Sequence, residues 1–325
     1  MSVYLITGGA GFIGSHIADA LVKRGDQVRI LDNLASGSPD NLRAIQDKVE
    51  LIHGDVCTLD DVCGAMRGAD FVIHQAAVVS VTKSIADPIS THRITAGGTL
   101  NVLMAARDTH VKRVVCASSA AVYGDNVHLP LRETELPTPL SPYAVAKLAS
   151  EHYAAAFAHT HGVSTVCLRY FNVYGPRQDA ASEYAGVIAK FVALARQNKT
   201  PTIFGDGEQT RDFIYISDIV QANLLACHAE RANGSVLNIA SGQSVSLLQL
   251  LHIIQEHFHS DTTTTTTPTF APARSGDIRH SAASIELARQ LIGFEPQIRL
   301  REGLLSMLGE VGITPIPALQ NPSIR

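Results

Sequence analysis

Two side chains able to move a proton stand four residues apart in Ser141-Pro142-Tyr143-Ala144-Val145-Ala146-Lys147. Pro142 suits the first turn of a helix. On a helix the i, i+4 spacing puts Tyr143 and Lys147 on one face, about 6 Å apart along the axis. A lysine cation near a phenol favours the phenolate and lowers its pKa, so Tyr143 can serve as a base near neutral pH. An ordinary surface pair shares this spacing, so the setting matters. Upstream, Cys116-Ala117-Ser118-Ser119-Ala120-Ala121-Val122-Tyr123-Gly124 closes a predicted buried strand. Ligands of open parallel sheets bind at the carboxyl ends of strands. A serine there can hydrogen-bond a substrate hydroxyl and align it with Tyr143.

A second constellation is built for phosphate. Gly8-Gly9-Ala10-Gly11-Phe12-Ile13-Gly14 follows an apolar run and leads into a helical pattern. Gly8, Gly11 and Gly14 leave backbone amides open to a pyrophosphate, and the helix start at Phe12 and Ile13 adds partial positive charge. Glycines also simply make turns, but a second strand follows, and Asp32 stands at its end, where a carboxylate accepts from ribose hydroxyls. That carboxylate would repel a 2′-phosphate, so NAD is expected rather than NADP; the other reading of Asp32 is a helix N-cap. Asp55 and Val56, after the third strand, are expected near the adenine.

The elements that must position these groups are legible as apolar runs. Val3–Thr7, Gln27–Leu31, Val49–His53, Phe71–His74, Arg113–Cys116 and Thr165–Leu168 read as strands. Amphipathic stretches such as Ile13–Arg24, Leu100–Asp108 and Tyr143–His161 lie between them. This alternation predicts an α/β fold, a doubly wound parallel Rossmann sheet with right-handed crossovers. After Tyr170 the rhythm breaks at Gly175-Pro176, Asp206-Gly207 and Asn233-Gly234, and a smaller C-terminal α/β lobe is expected. The predicted boundaries are 1–171 with roughly 213–241 for the NAD-binding domain, 172–212 and 242–315 for the smaller lobe, and 316–325 for a tail. Thr262–Thr267 reads as a loop leading into, or forming, an edge strand.

Composition narrows the class. With 325 residues the chain can bury a sizeable core, and with a net charge of -4 it has no general affinity for polyanions, so nucleic acid is not an expected partner. No apolar run approaches a membrane span. Val3-Tyr4-Leu5-Ile6-Thr7 is preceded by no basic leader, and a cytoplasmic protein is expected. The five cysteines form no C-x-x-C pair and are expected as mostly buried thiols. His252, His257 and His259 lack the one-face spacing of helical ligands, and no metal site is expected.

Gly8–Gly14, Ser119, Tyr143-x-x-x-Lys147 and Leu168-Arg169-Tyr170-Phe171-Asn172, with Arg274-Ser275-Gly276-Asp277-Ile278-Arg279-His280-Ser281 further on, resemble the extended short-chain dehydrogenase/reductases over nearly the whole chain. Within that family the chain is similar to the UDP-sugar 4-epimerases. The resemblance implies that Tyr143 takes the proton from the sugar 4-hydroxyl while hydride passes from C4 to NAD⁺. The 4-keto sugar turns over and hydride returns to its other face. By the same match Lys147 assists the base and anchors the ribose, and Ser119 meets the hydroxyl. The implied cofactor contacts include Asn33, Gln75, Ala76, Ala77, Tyr170 and Phe171. Asn172, Arg211, Arg274 and Asp277 match positions that hold the UDP group, as suits arginines facing a diphosphate, although either arginine could also serve a surface ion pair. Ser80, Val187 and Lys190 match further substrate positions. The family pattern often carries asparagine near Thr95; this chain reads Ile94-Thr95-Ala96-Gly97-Gly98.

Sister 4,6-dehydratases carry an Asp-Glu pair after the catalytic hydroxyl, and sister decarboxylases usually carry a glutamate. This chain has Ala120-Ala121, which leaves epimerisation. Ser281 matches a gate beside the sugar C2 substituent, where serine leaves room for an N-acetyl group. Gly276–Ser281 resembles the subgroup that prefers UDP-GlcNAc and UDP-GalNAc. UDP-glucose, or both sugars, and then UDP-glucuronate are the alternatives; a non-enzymatic NAD-binding protein would not be expected to keep Tyr143 and Lys147. Relatives dimerise through two helices, here Thr91–Asp108 and Tyr143–His161, so a homodimer is expected.

Overall fold

The computed structural model describes residues 1–179, 186–197, 199–258, 267–273 and 278–308. Its strands in chain order are β1 (Val3–Thr7), β2 (Gln27–Asp32), β3 (Val49–His53), β4 (Phe71–His74), β5 (Arg113–Ser119) and β6 (Thr165–Tyr170). They continue as β7 (Asn172–Tyr174), β8 (Thr202–Phe204), β9 (Thr210–Tyr215), β10 (Ser235–Ile239), β11 (Ser244–Ser246) and β12 (Thr269–Ala271).

Seven strands form one parallel sheet in the order β10-β6-β5-β4-β1-β2-β3. The inner strands β1, β4, β5 and β6 are buried almost throughout, which suits their apolar runs, whereas the edge strand β3 is mostly exposed or half-buried. Side chains alternate across the pleat: Tyr4 and Ile6 join the core beneath the helix Phe12–Arg24, with Ile17 and Leu21. Leu5 points the other way, into the core containing Val102 and Leu103 of the helix Gly98–Thr109. The chain leaves β1 toward β2 on one side and β4 toward β5 on the other. A crevice therefore opens at the carboxyl ends of β1 and β4, where such sheets bind their ligands.

The strands run further than the apolar pattern predicts. β5 continues through Ala117, Ser118 and Ser119, which pair with Leu168, Arg169 and Tyr170 of β6. Their small and polar side chains carry no strand signal; the neighbouring strand supplies the pairing. A second sheet, β11-β9-β7, and the pair β12-β8 build the smaller lobe. β9 spans Thr210–Tyr215, so residues 213–215 lie in the three-stranded sheet. The helix Ile216–His228 and β10 return to the large sheet.

Most of Thr262–Thr267 and all of the predicted tail lie outside the described residues; Thr267 and Pro268 lead into β12, which pairs with β8. Cys116, Cys167 and Cys227 are buried, Cys57 and Cys63 half-buried, and all five are free thiols. Among the described residues no helix is long and apolar enough to cross a membrane.

Candidate active site

The glycine loop joins β1 to the helix Phe12–Arg24 at this crevice. Gly8 has φ +69, and a Cβ there would stand 2.7 Å from the amide nitrogen of Ala76. A Cβ on Gly14 would stand 2.7 Å from the Cα of Gly9 and would also meet the Gly8 carbonyl. Close packing of strand, loop and helix therefore excludes side chains at both positions. The helix begins at Gly11 with no side-chain cap, so its first amides remain available to an anion. Asp32 ends β2 and is buried, with its carboxylate accepting from Ala10 N at 2.9 Å and Leu34 N at 2.8 Å. A carboxylate offers about four acceptor positions, which leaves capacity for ribose hydroxyls. Open amides, a cradle without Cβ atoms and an acid one strand away fit a dinucleotide.

Three predicted groups meet at the ends of β5 and of the helix Pro142–His161. Ser141 caps this helix, its Oγ accepting from Ala144 N at 3.2 Å, and Pro142 stands in the first turn. The Ser119 hydroxyl lies close enough to the Tyr143 phenol to favour its phenolate. Lys147 is buried, and its Nζ donates to the Ala117 carbonyl at 2.7 Å. The expected depression of the Tyr143 pKa by Lys147 is not what the structure shows. Burial raises the phenol, and only the Ser119 hydroxyl works against it. Burial also lowers Lys147, to about 8, because a cation loses its hydration there. A phenol, a hydroxyl and an amine so gathered can hold and move one proton beside a bound alcohol or ketone.

Other predicted residues are brought close by the fold. Gln75 and Ala76 follow β4 and lie against the glycine loop at Gly8, with Ala77 next in the chain. Asn33 donates to Asp55 at 3.0 Å, joining the ends of β2 and β3. Val56 is buried, and a Cβ on Gly98 would press on it, so it packs into the core. Around β9, Asn172 of β7 donates to the Asp212 carbonyl at 3.0 Å, Arg211 donates to the Thr210 carbonyl at 2.9 Å, and the amide of buried Ser281 donates to the Thr210 carbonyl at 3.1 Å. Val187 and Lys190 open the helix Val187–Arg196.

Some predicted contacts also carry a structural duty. The Tyr170 hydroxyl donates to Asn223 at 2.9 Å and accepts from Gln75 at 3.0 Å, a bridge between strand ends and the helix Ile216–His228. The Phe171 ring is buried in a separate cluster with Tyr123, Leu131 and Ile285. Ser80 caps the helix Val81–Ala86, accepting from Lys83 N at 3.0 Å. Arg274 and Asp277 lie outside the described residues. Sequence reasoning missed His74, which is buried between Thr7 (2.7 Å) and Thr99 (3.1 Å) beneath the glycine loop. An apolar strand ending in histidine carries no signal for this, since both partners arrive from other elements.

A parallel sheet with an open glycine loop at its switch point, and a serine at the end of β5 facing a tyrosine and a lysine of the helix Pro142–His161, defines a nicotinamide-using enzyme of the short-chain dehydrogenase/reductase type. Residues 4–240 match the model of the NAD dependent epimerase/dehydratase family, and the chain belongs to that family. It is 38% identical over 304 residues, 92% of this chain and 95% of the relative, to a putative UDP-glucose 4-epimerase of Methanocaldococcus jannaschii. The structure of UDP-N-acetylglucosamine 4-epimerase from Methanobrevibacter ruminantium M1, in complex with UDP-N-acetylmuramic acid, matches with a TM-score of 0.89 and 38% identity, over 95% of this chain and 97% of that one. UDP-glucose 4-epimerase from Thermotoga maritima, with UDP-glucose, matches with a TM-score of 0.88 and 36% identity, over 95% and 98% of the two chains. By this kinship the chain is an NAD-using isomerase of the UDP-sugar epimerase kind.

Proposed function

We propose that this protein epimerises UDP-sugars at C4 through a 4-keto sugar, and that UDP-GlcNAc and UDP-GalNAc are its preferred pair. NAD⁺, when bound, supplies the hydride chemistry at C4. Tyr143 takes the 4-hydroxyl proton and later returns it. Ser119 holds both the phenol and the substrate oxygen, and its hydroxyl favours the phenolate. Lys147, one turn along the same helix, is proposed to supply the positive charge that steadies that phenolate. Ala120 and Ala121 begin the short turn after Ser119. Neither offers an acid or base for elimination or decarboxylation, so the ketone can only be reduced again.

The large sheet, with the glycine loop, Asp32, Asn33, Asp55 and Gln75–Ala77, is proposed to hold the dinucleotide; the smaller lobe is proposed to hold the UDP-sugar. The observation that carries the sugar preference is buried Ser281, bonded to β9 beside Arg211. Its small side chain leaves space where an N-acetyl group needs it. Arg211 and Asn172 are proposed to face the diphosphate and nucleoside. Exposed Val145 and Tyr153 on one face of the helix Pro142–His161 support a homodimer, which light scattering tests directly.

The deciding experiment mixes purified protein, without added NAD, separately with UDP-GlcNAc, UDP-glucose and UDP-glucuronate. UDP-GalNAc as the fastest-formed product is expected. A stable 4-keto-6-deoxy sugar or CO₂ would overturn the reaction class, and faster turnover of either other sugar would overturn the preference.

A further inference from the structure

The helix Pro142–His161 presents a third residue on the stripe that carries the proton-transfer pair. Glu151 follows Lys147 by one turn, as Lys147 follows Tyr143, and it is 3% exposed. Its Oε1 accepts from Ser118 Oγ at 2.5 Å and from Arg169 Nε at 2.9 Å, and its Oε2 accepts from Arg169 at 2.7 Å. The three stripe residues thus engage three consecutive residues of β5: Tyr143 with Ser119, Lys147 with the Ala117 carbonyl and Glu151 with Ser118. Arg169 is itself held from the far side, its guanidinium 4.6 Å from the centre of the Tyr123 ring. A buried ion pair is a poor source of net stability, since desolvation offsets most of its attraction. Its place, between the helix that carries Tyr143 and Lys147 and the end of β5, points to what it positions.

We propose that Glu151 is a positioning residue for proton transfer: its carboxylate, shared by Arg169 and Ser118, seats the Tyr143–Lys147 stripe on the end of β5 and supplies the negative charge against which Lys147 remains a cation. The inference rests on the proposed roles of Tyr143 and Lys147. Titratable groups facing Lys147 come from each packed element: Cys116 on β5, Cys167 on β6, His74 on β4, and Tyr143 and Glu151 on its own helix. Cys116, Cys167 and Glu151 oppose the burial that lowers Lys147. Of these groups, Glu151 is the one held in an ion pair, with Arg169 at 2.7 Å.

The test compares the pH dependence of kcat and KM for the full-length protein and two variants, using whichever of UDP-GlcNAc and UDP-glucose the wild type turns over. Wild-type turnover comes first; its absence refutes the proposed function and is separate from the variant results. In Glu151→Gln, kcat is expected to fall about tenfold or more, KM to stay within about threefold, and the alkaline limb of the kcat profile to move down by about one unit. A fall in kcat with the limb unmoved, or one matched by loss of folded protein in circular dichroism, overturns the proposal. Ser118→Ala removes one tie and keeps the ion pair. It is expected to lower kcat severalfold with the limb in place, and unchanged kcat overturns the seating role even if Glu151→Gln does not fold.

Discussion

The amide of Ala10, inside the glycine loop, donates to the carboxylate of Asp32 at 2.9 Å. The acid that ends β2 is therefore tied to the loop that ends β1, and its position relative to a pyrophosphate is set by backbone. Asp32→Asn keeps the shape but removes the charge. It is expected to retain about tenfold less NAD after purification, measured as nicotinamide released per chain on denaturation. Undiminished NAD would remove Asp32 from the cofactor site.

Tyr143→Phe deletes one oxygen from a half-buried ring and leaves the Lys147 bond to Ala117 in place. Turnover is expected to fall by about 10²–10⁴, the range for loss of a general base, with UDP-sugar affinity preserved in calorimetry. Residual activity above a tenth of wild type would assign the proton transfer elsewhere.

Gly14→Ala tests the packing of the loop. The added methyl would meet backbone atoms of Gly8 and Gly9, which cannot yield as a flexible side chain does. A cost of about 1–3 kcal/mol is expected, read as a lowered midpoint in thermal unfolding together with reduced NAD content. Gly64→Ala is the control, because nothing lies within 4 Å of its added Cβ.

Ser281→Tyr puts a ring at a buried position whose backbone is bonded to β9. Turnover of UDP-GlcNAc is expected to be lost while UDP-glucose is still converted; an unchanged ratio of the two kcat/KM values would refute the gate.

His74 carries a pH signature. Burial lowers its pKa to about 3 in the folded chain, against about 6.5 when unfolded. The unfolded state therefore binds the extra proton between those values, and stability fully present above about pH 6.5 is progressively lost as pH falls toward 3. Asp212 and Asp218, each raised to about 6 by burial, act in the opposite sense, so wild type must be compared with His74→Gln. The variant is expected to lose less stability than wild type between pH 6.5 and 4.5 in urea unfolding. Parallel curves would show that His74 does not titrate this way.

Local chemistry was readable along the chain. Glycine spacing, the acid closing an apolar run, and a tyrosine and lysine on one helix face point to the sheet, the cofactor and the proposed proton-transfer pair, because each depends on neighbours within a few residues. Tertiary packing decided what distance in sequence conceals. It carried β5 past Cys116 to Ser119 through pairing with β6. It turned Phe171 into a separate core and used Ser80 as a helix cap. It set Lys147 against a carbonyl rather than leaving it simply to acidify Tyr143, and it placed Glu151 between Ser118 and Arg169. Charge and hydrogen bonding in a buried site depend on groups from three or four elements at once, and burial reverses the sign of shifts that a pair in water would show.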